Sequence, residues 1–135
     1  MLGEQIGEDT GQITGMRVLP DEGAGTKMEV SFQTNGTLLD APVSYIGTYL
    51  SAARPDGTLF GDAQGIAMTG DGEMGTWRAQ GVGRFTGHGM AVSWRGAVYF
   101  QFASERLARL NGIAGVYEME ADENGKIAIK TYEWK

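Results

Sequence analysis

The chain has 135 residues, no cysteine, and seventeen acidic against eleven basic residues, for a net charge of −6. That length holds one sizeable core and is short for two, so a single domain over residues 1–135 is expected. The missing cysteines exclude disulfides, thiolate catalysis and cysteine-ligated metals, while a negative chain with no two basic residues in succession disfavours nucleic acid and anionic membranes as partners.

In chain order, residues 1–13 carry Glu4, Glu8 and Asp9 and lack the apolar stretch of a secretory signal. Residues 1–10 are expected to be partly disordered, and a cytoplasmic location is expected. Runs rich in Val, Ile, Thr, Tyr, Phe and Trp follow at 11–19, 27–34, 41–53, 58–69, 73–85, 90–102, 112–121 and 126–134. Turn signals divide them: Pro20-Asp21-Glu22-Gly23, Pro55-Asp56-Gly57, Gly70-Asp71-Gly72, Thr86-Gly87-His88-Gly89, Asn111-Gly112 and Asn124-Gly125. No stretch approaches the roughly 20 apolar residues of a membrane span. Only 104–110 reads as a short helical turn, with Leu107 and Leu110 three apart. The fold class is therefore all-β, an antiparallel barrel of about eight strands joined as a meander. The 22 glycines are spread through strands and turns, as a curling sheet requires.

Turn chemistry also predicts which side chains share a face. A three-residue loop with its bulge at Pro55-Asp56-Gly57 pairs Arg54 with Thr58, and counting back sets Ala52 opposite Phe60, Leu50 opposite Asp62, Thr48 opposite Gln64 and Ile46 opposite Ile66. A two- or four-residue loop around Gly70-Asp71-Gly72 carries that face on to Glu73, Trp77 and Phe85. A four-residue loop after Phe85 then adds Val92, Trp94, Val98, Phe100 and Phe102. This face is apolar and bulky, whereas Arg78, Arg84 and Arg95 stand on the other, so the tryptophan face is placed inside. The last hairpin pairs Glu118 with Lys130 outside and Met119 with Ile129 inside. Met28 and Met68 also count as inward. The register near Asn35-Gly36, where a bulge is expected, stays open.

The segment Gly83-Arg84-Phe85-Thr86-Gly87 with its following strand, then 104–110 running into Asn111-Gly112 and a last apolar hairpin, resembles the closing half of allene oxide cyclase-like and dirigent-like barrels. The likeness covers roughly residues 58–134. It implies an eight-stranded barrel, often oligomeric, that binds a hydrophobic small molecule and in some members steers its cyclisation. The functional residues of those families are not carried over to positions here.

Catalytic motifs are few. The single histidine, His88, lies between glycines in a turn and reads as solvated; a metal site with two histidines is impossible. The aspartates of Asp56-Gly57, Asp71-Gly72 and Asp122 serve turns. The parity count leaves Thr48, Asp62, Gln64 and Glu73 as polar residues on the inward face. A buried carboxylate has a raised pKa and suits general acid or base work, so Asp62 is the candidate catalytic residue; a hydrogen-bonded structural role is the other reading. Thr48, Phe60, Gln64, Trp77, Trp94 and Tyr117 are the candidate ligand-binding residues. No cofactor is implied. Tyr45, Tyr49 and Tyr99 share outward parity, as a subunit interface would. The sequence thus points to a barrel that binds a hydrophobic small molecule, with cofactor-free cyclisation or isomerisation as its chemistry. The alternative is a non-catalytic module acting through oligomerisation or protein interaction.

Overall fold

The computed structural model describes residues 1–21, 23 and 25–135. Eight strands form one closed antiparallel barrel in sequence order: β1 (Leu2–Leu19), β2 (Lys27–Leu38), β3 (Ala41–Ala53), β4 (Leu59–Thr69), β5 (Met74–Phe85), β6 (Val92–Phe102), β7 (Gly115–Ala121) and β8 (Lys126–Trp134). Closure pairs β1 with β8 and leaves no free sheet side along the body of the barrel. Four hairpin tips gather at one end. The termini, the tight turn at Leu39 and Asp40, the 70–72 loop and the β6–β7 connection occupy the other.

The sequence-derived pairings at the Pro55 turn hold residue for residue, from Ala52 with Phe60 to Ile46 with Ile66. So do Glu118 with Lys130 and Met119 with Ile129, and Arg95 on the outer face pairs with Glu120 at 2.9 Å. The step between them fails at one loop. Thr69 N–H donates to Glu73 O and Gly72 N–H to Thr69 O, so the loop has three residues, Gly70 to Gly72. An odd loop keeps Thr69 opposite Glu73 and exchanges the two faces relative to an even one. Trp77 therefore pairs with Gly65, not with the Gln64 face.

The consequence is a correction across β3 and β4. Thr48, Phe60, Asp62, Gln64 and Met68 lie on the outer face, while Tyr45 and Tyr49, expected outside, are buried in the core. Tyr99 does face out. Trp77, Trp94, Val98, Phe100, Phe102 and Met119 are buried as expected, and Met28 packs against the core. Arg78, Arg84 and Arg95 are exposed.

Other differences are local. Residues 2–10 are not loose but form the first half of β1, held by β2 and β8. No bulge interrupts β2 against β3 at Asn35-Gly36; the irregularity falls instead in β1 between Ile13 and Gly15. The β2–β3 turn uses Leu39 and Asp40, both at positive φ (49° and 64°), the two-residue geometry that normally selects Asn and Gly. Leu39 packs against the core, which offsets its strained backbone. The helical turn spans Ala108–Gly112 rather than 104–110, and Leu107 and Leu110 are fully buried, filling that end of the barrel. Beside it Asn111 acts as a one-residue surrogate strand: its amide nitrogen donates to Phe102 O at 2.8 Å and its Oδ1 accepts from Phe102 N–H at 2.7 Å. Glu22, within the first expected turn, lies outside the described residues.

Many inward positions are glycine because rings from neighbouring strands lie on them. A Cβ on Gly65 would stand 2.2 Å from Ile46 O and 2.4 Å from the Trp77 ring; one on Gly61 or Gly83 would stand 2.8 Å from Trp94. Large and small residues thus alternate around a narrow interior. Gly65→Ala is expected to displace Trp77 and cost several kcal/mol, in the range of about 1–3 or more seen for overpacked cores. Gly15→Ala, with nothing within 4 Å, should leave the melting temperature nearly unchanged. Equal shifts in thermal melts of the two variants would refute the seating of the indole.

Candidate functional site

The barrel interior is not completely filled. A partly open cavity of about 80 Å³ lies among the aromatic side chains, bounded by Phe32, Tyr45, Tyr49, Trp77, Trp94 and Tyr117, with Val98, Met119 and Ile129 completing an apolar wall. Tyr49 meets Trp94 edge to face at 5.6 Å, and Phe32 lies 6.0 Å from both Tyr49 and Trp77. Such contacts hold the rings in fixed positions. Three of the sequence-derived ligand-binding residues, Trp77, Trp94 and Tyr117, are brought together here. The other three, Thr48, Phe60 and Gln64, face away: Thr48 Oγ1 shares a hydrogen bond with Ser31 at 3.2 Å, and Phe60 lies under the Arg54 guanidinium at 5.9 Å.

Asp62, the candidate catalytic residue, is likewise displaced to the outer face, where it pairs across the sheet with Gln80. The carboxyl that reaches the cavity is Asp9, on β1, and it is 5 % exposed. β1 runs inward at Gly7, Asp9 and Gly11 because the outward partners Glu8, Thr10 and Gln12 are polar and solvent-facing. Gly36, opposite Asp9 on β2, has no room for a Cβ, which would fall 2.6 Å from Asp9 Cα. The next inward residue on β2, Thr34, pairs with Tyr45 on β3. Thr131 of β8 and Tyr45 complete the polar side of the cavity.

Asp9 Oδ2, Thr34 Oγ1 and Trp94 Nε1 are buried with no well-aligned hydrogen-bond partner among the described residues, as are Asp62 Oδ1 and Glu73 Oε2 away from the cavity. Buried polar groups are normally paired, so three together on or beside one cavity mark a place where partners are missing. By contrast Trp77 Nε1 donates to Ile66 O at 3.3 Å. Burial raises the Asp9 pKa from 3.8 to about 6; hydrogen bonding by the neighbouring Thr34 hydroxyl offsets part of this, and the Glu8 charge adds to the rise. Burial likewise lifts the Tyr49 and Tyr117 hydroxyls to about 12, and burial plus the Asp9 charge lifts Tyr45 further. Near neutral pH, Asp9 is the titrating group on this cavity, able to take or give a proton.

Sequence reasoning missed Asp9 because the inward positions around it are glycine, which leaves no apolar alternation to read. The usable signal was an acidic residue spaced two from glycines on both sides within a polar run. His88 is exposed on its loop. Among the described residues no three or more His, Asp or Glu side chains gather to hold a metal, and no helix is long and apolar enough to cross a membrane.

No protein-family model and no curated protein matches the chain. Solved structures do. A conserved protein of unknown function from Rhodopseudomonas palustris superposes with a TM-score of 0.84 at 13% identity, over 98% of this chain and 97% of that one. A beta-barrel like protein from Acinetobacter baumannii gives 0.84 at 12% identity, over 100% and 96%. An enzyme from Penicillium herquei gives 0.68 at 18% identity, over 96% and 92%. At these identities the likeness is one of fold: the chain shares a closed barrel with bacterial proteins of unknown function and with a fungal enzyme.

The buried carboxyl has a stability consequence with a definite sign. A folded-state pKa of about 6 against 3.8 means the folded chain holds its proton more tightly, so Asp9 stabilises least above pH 6 and its cost develops as pH rises from about 4 to 6. Asp9→Asn should therefore melt higher than the parent at pH 7, by an amount equivalent to about 2–3 kcal/mol, and by little at pH 4. A melting difference that does not vary with pH would show that Asp9 is not desolvated in this way.

Proposed function

We propose that the protein is a small-molecule-binding barrel whose ligand occupies the aromatic cavity and meets Asp9. The observation that carries this reading is the set of buried, unpartnered polar atoms, Asp9 Oδ2 foremost, on an otherwise apolar cavity. The cavity is small. Its 80 Å³ falls below the roughly 300–1,000 Å³ of drug-sized sites, so the ligand is small or reaches in from the open side with one end. The resemblance to allene oxide cyclase-like and dirigent-like barrels supports a hydrophobic ligand and a cofactor-free isomerisation or cyclisation, and an enzyme among the structural neighbours supports catalysis on such a barrel. In such chemistry the fixed rings would shape the bound molecule and exclude water, and Asp9 would move the proton. Asp62, on the outer face, has no part in it.

A neutral aromatic such as toluene should bind the folded protein one to one and perturb tryptophan emission, since Trp77 and Trp94 line the cavity. Ala79→Leu, which fills the cavity from β5, should abolish that binding while the chain stays folded, at a cost of about 1–3 kcal/mol. Asp62→Asn should leave binding unchanged. Binding that survives in the filled variant would place the ligand elsewhere.

A second reading, a module acting through self-association, is favoured by the outer face of β3 to β6. There Ile46, Leu50, Phe60, Val82 and Tyr99 are exposed on adjoining strands, and Phe60 pairs directly with Val82. Sedimentation separates the two: if this face joins copies of the chain, Phe60→Glu should convert a dimer or larger species to monomer, and a parent that already sediments as monomer removes this reading.

A further inference from the structure

The cavity combines two features that apolar ligands do not need. Its walls are aromatic on most sides, with Phe32, Tyr45, Tyr49, Trp77, Trp94 and Tyr117 contributed by five of the eight strands. Its one charged side chain is a carboxyl, and no Lys, Arg or His is among the residues that line it. Asp9 is 5 % exposed and its Oδ2 has no partner among the described residues. An anionic ligand would meet this carboxylate with no compensating cation. A wholly apolar one would leave the carboxylate as it is, buried and unpaired, a costly arrangement. A cation satisfies both features at once, because ring faces attract positive charge and the carboxylate supplies the counter-charge.

We propose that the cavity is an aromatic cage for a small organic ammonium ion, with Asp9 as its counter-ion and Trp77, Trp94 and the tyrosines as its walls. This rests on the reading that the cavity is the ligand site and names the class of ligand. β1 and β5 stand across the barrel from one another, so Asp9 and Trp77 address the ligand from opposite sides. The size agrees: about 80 Å³ accommodates a compact head group, while the remainder of the molecule extends through the open side. Binding of the ion itself involves no covalent step.

Choline and 3,3-dimethyl-1-butanol share a shape and differ in charge, which makes them the discriminating pair. Titrated against tryptophan emission at pH 7.5, choline or a smaller methylammonium is expected to bind at least about tenfold tighter than the neutral alcohol, the scale of a desolvated cation–π contact with a counter-ion. In Asp9→Asn, shown to be folded by circular dichroism, that preference should vanish. It should also shrink in the unmodified protein between pH 7.5 and 5. The groups facing Asp9 are Thr34 on β2, Tyr45 on β3 and Thr131 on β8, with Glu8 adjacent on β1; the buried tyrosines titrate far above this range, so loss of the preference in the acid range reports the carboxyl. Equal or tighter binding of the alcohol, or a preference unchanged in Asp9→Asn, overturns the cation cage while leaving the cavity as a ligand site. Failure of every ammonium while toluene binds overturns the cage in the same way. If neither toluene nor any ammonium binds, the cavity reading falls and the cage with it.

Discussion

The seating of aromatic rings on bare backbone is the constraint from which the rest of this barrel follows. Eight strands enclose an interior just wide enough for side chains or one small ligand, and an indole cannot enter it beside another large residue. Trp77 lies against Gly47 and Gly65, and Trp94 against Gly61 and Gly83, at distances where a methyl group would collide. Each ring therefore occupies the space of two or three positions on its neighbours. The glycines weaken their strands individually, through lost packing and backbone entropy. They are retained because the rings cover them, and closure of the sheet holds both partners in register.

That arrangement also explains why a cavity remains. Rings laid flat against the wall cover it without reaching the axis, and small residues such as Ala63 and Ala79 stand between them. At the terminal end, Leu107 and Leu110 from the β6–β7 connection fill the barrel. The Asn111 side chain secures that segment to Phe102. The interior is thus closed by packing at one end and left with void in its aromatic middle, where Asp9 enters from β1.

How far this was legible in the sequence depended on turn chemistry. Where a turn has a definite residue signature, as at Pro55-Asp56-Gly57 and Asp122 to Gly125, register could be counted residue by residue, and the counts hold. At Gly70-Asp71-Gly72 two glycines and an aspartate are compatible with several loop lengths. Choosing an even one carried Thr48, Phe60, Asp62 and Gln64 to the wrong face, and Tyr45 and Tyr49 with them. Composition could not arbitrate: the correct parity puts Val43, Tyr45, Tyr49 and Leu59 inside but leaves Ile46, Leu50 and Phe60 outside, so the two faces of β3 and β4 are nearly balanced in hydrophobicity. The Leu39-Asp40 turn had no signal, because its backbone is held by the core contact of Leu39 and not by the usual small residues. Trp77, Trp94 and Tyr117 were found because their strands alternate clearly. Asp9 was not, because glycine on either side erased the alternation.

The misplaced and the actual carboxyl make the same physical point from opposite sides. Asp62 drew attention as an acid on an apolar face, yet the face was wrong. Asp9 sits in a segment of Glu, Asp, Thr and Gly with no hydrophobic pattern, and closure of the sheet turns it inward, where burial dominates its ionisation. A structural carboxyl so placed would be expected to find donors, since a carboxylate accepts several hydrogen bonds and the fold has threonines and tyrosines nearby. Here Asp9 Oδ2 remains unpaired among the described residues, while the exposed turn aspartates Asp56 and Asp122 accept backbone N–H groups on Oδ1. An unpaired carboxyl oxygen on an otherwise apolar cavity is the physical ground for the proposal that Asp9 serves a ligand rather than the fold.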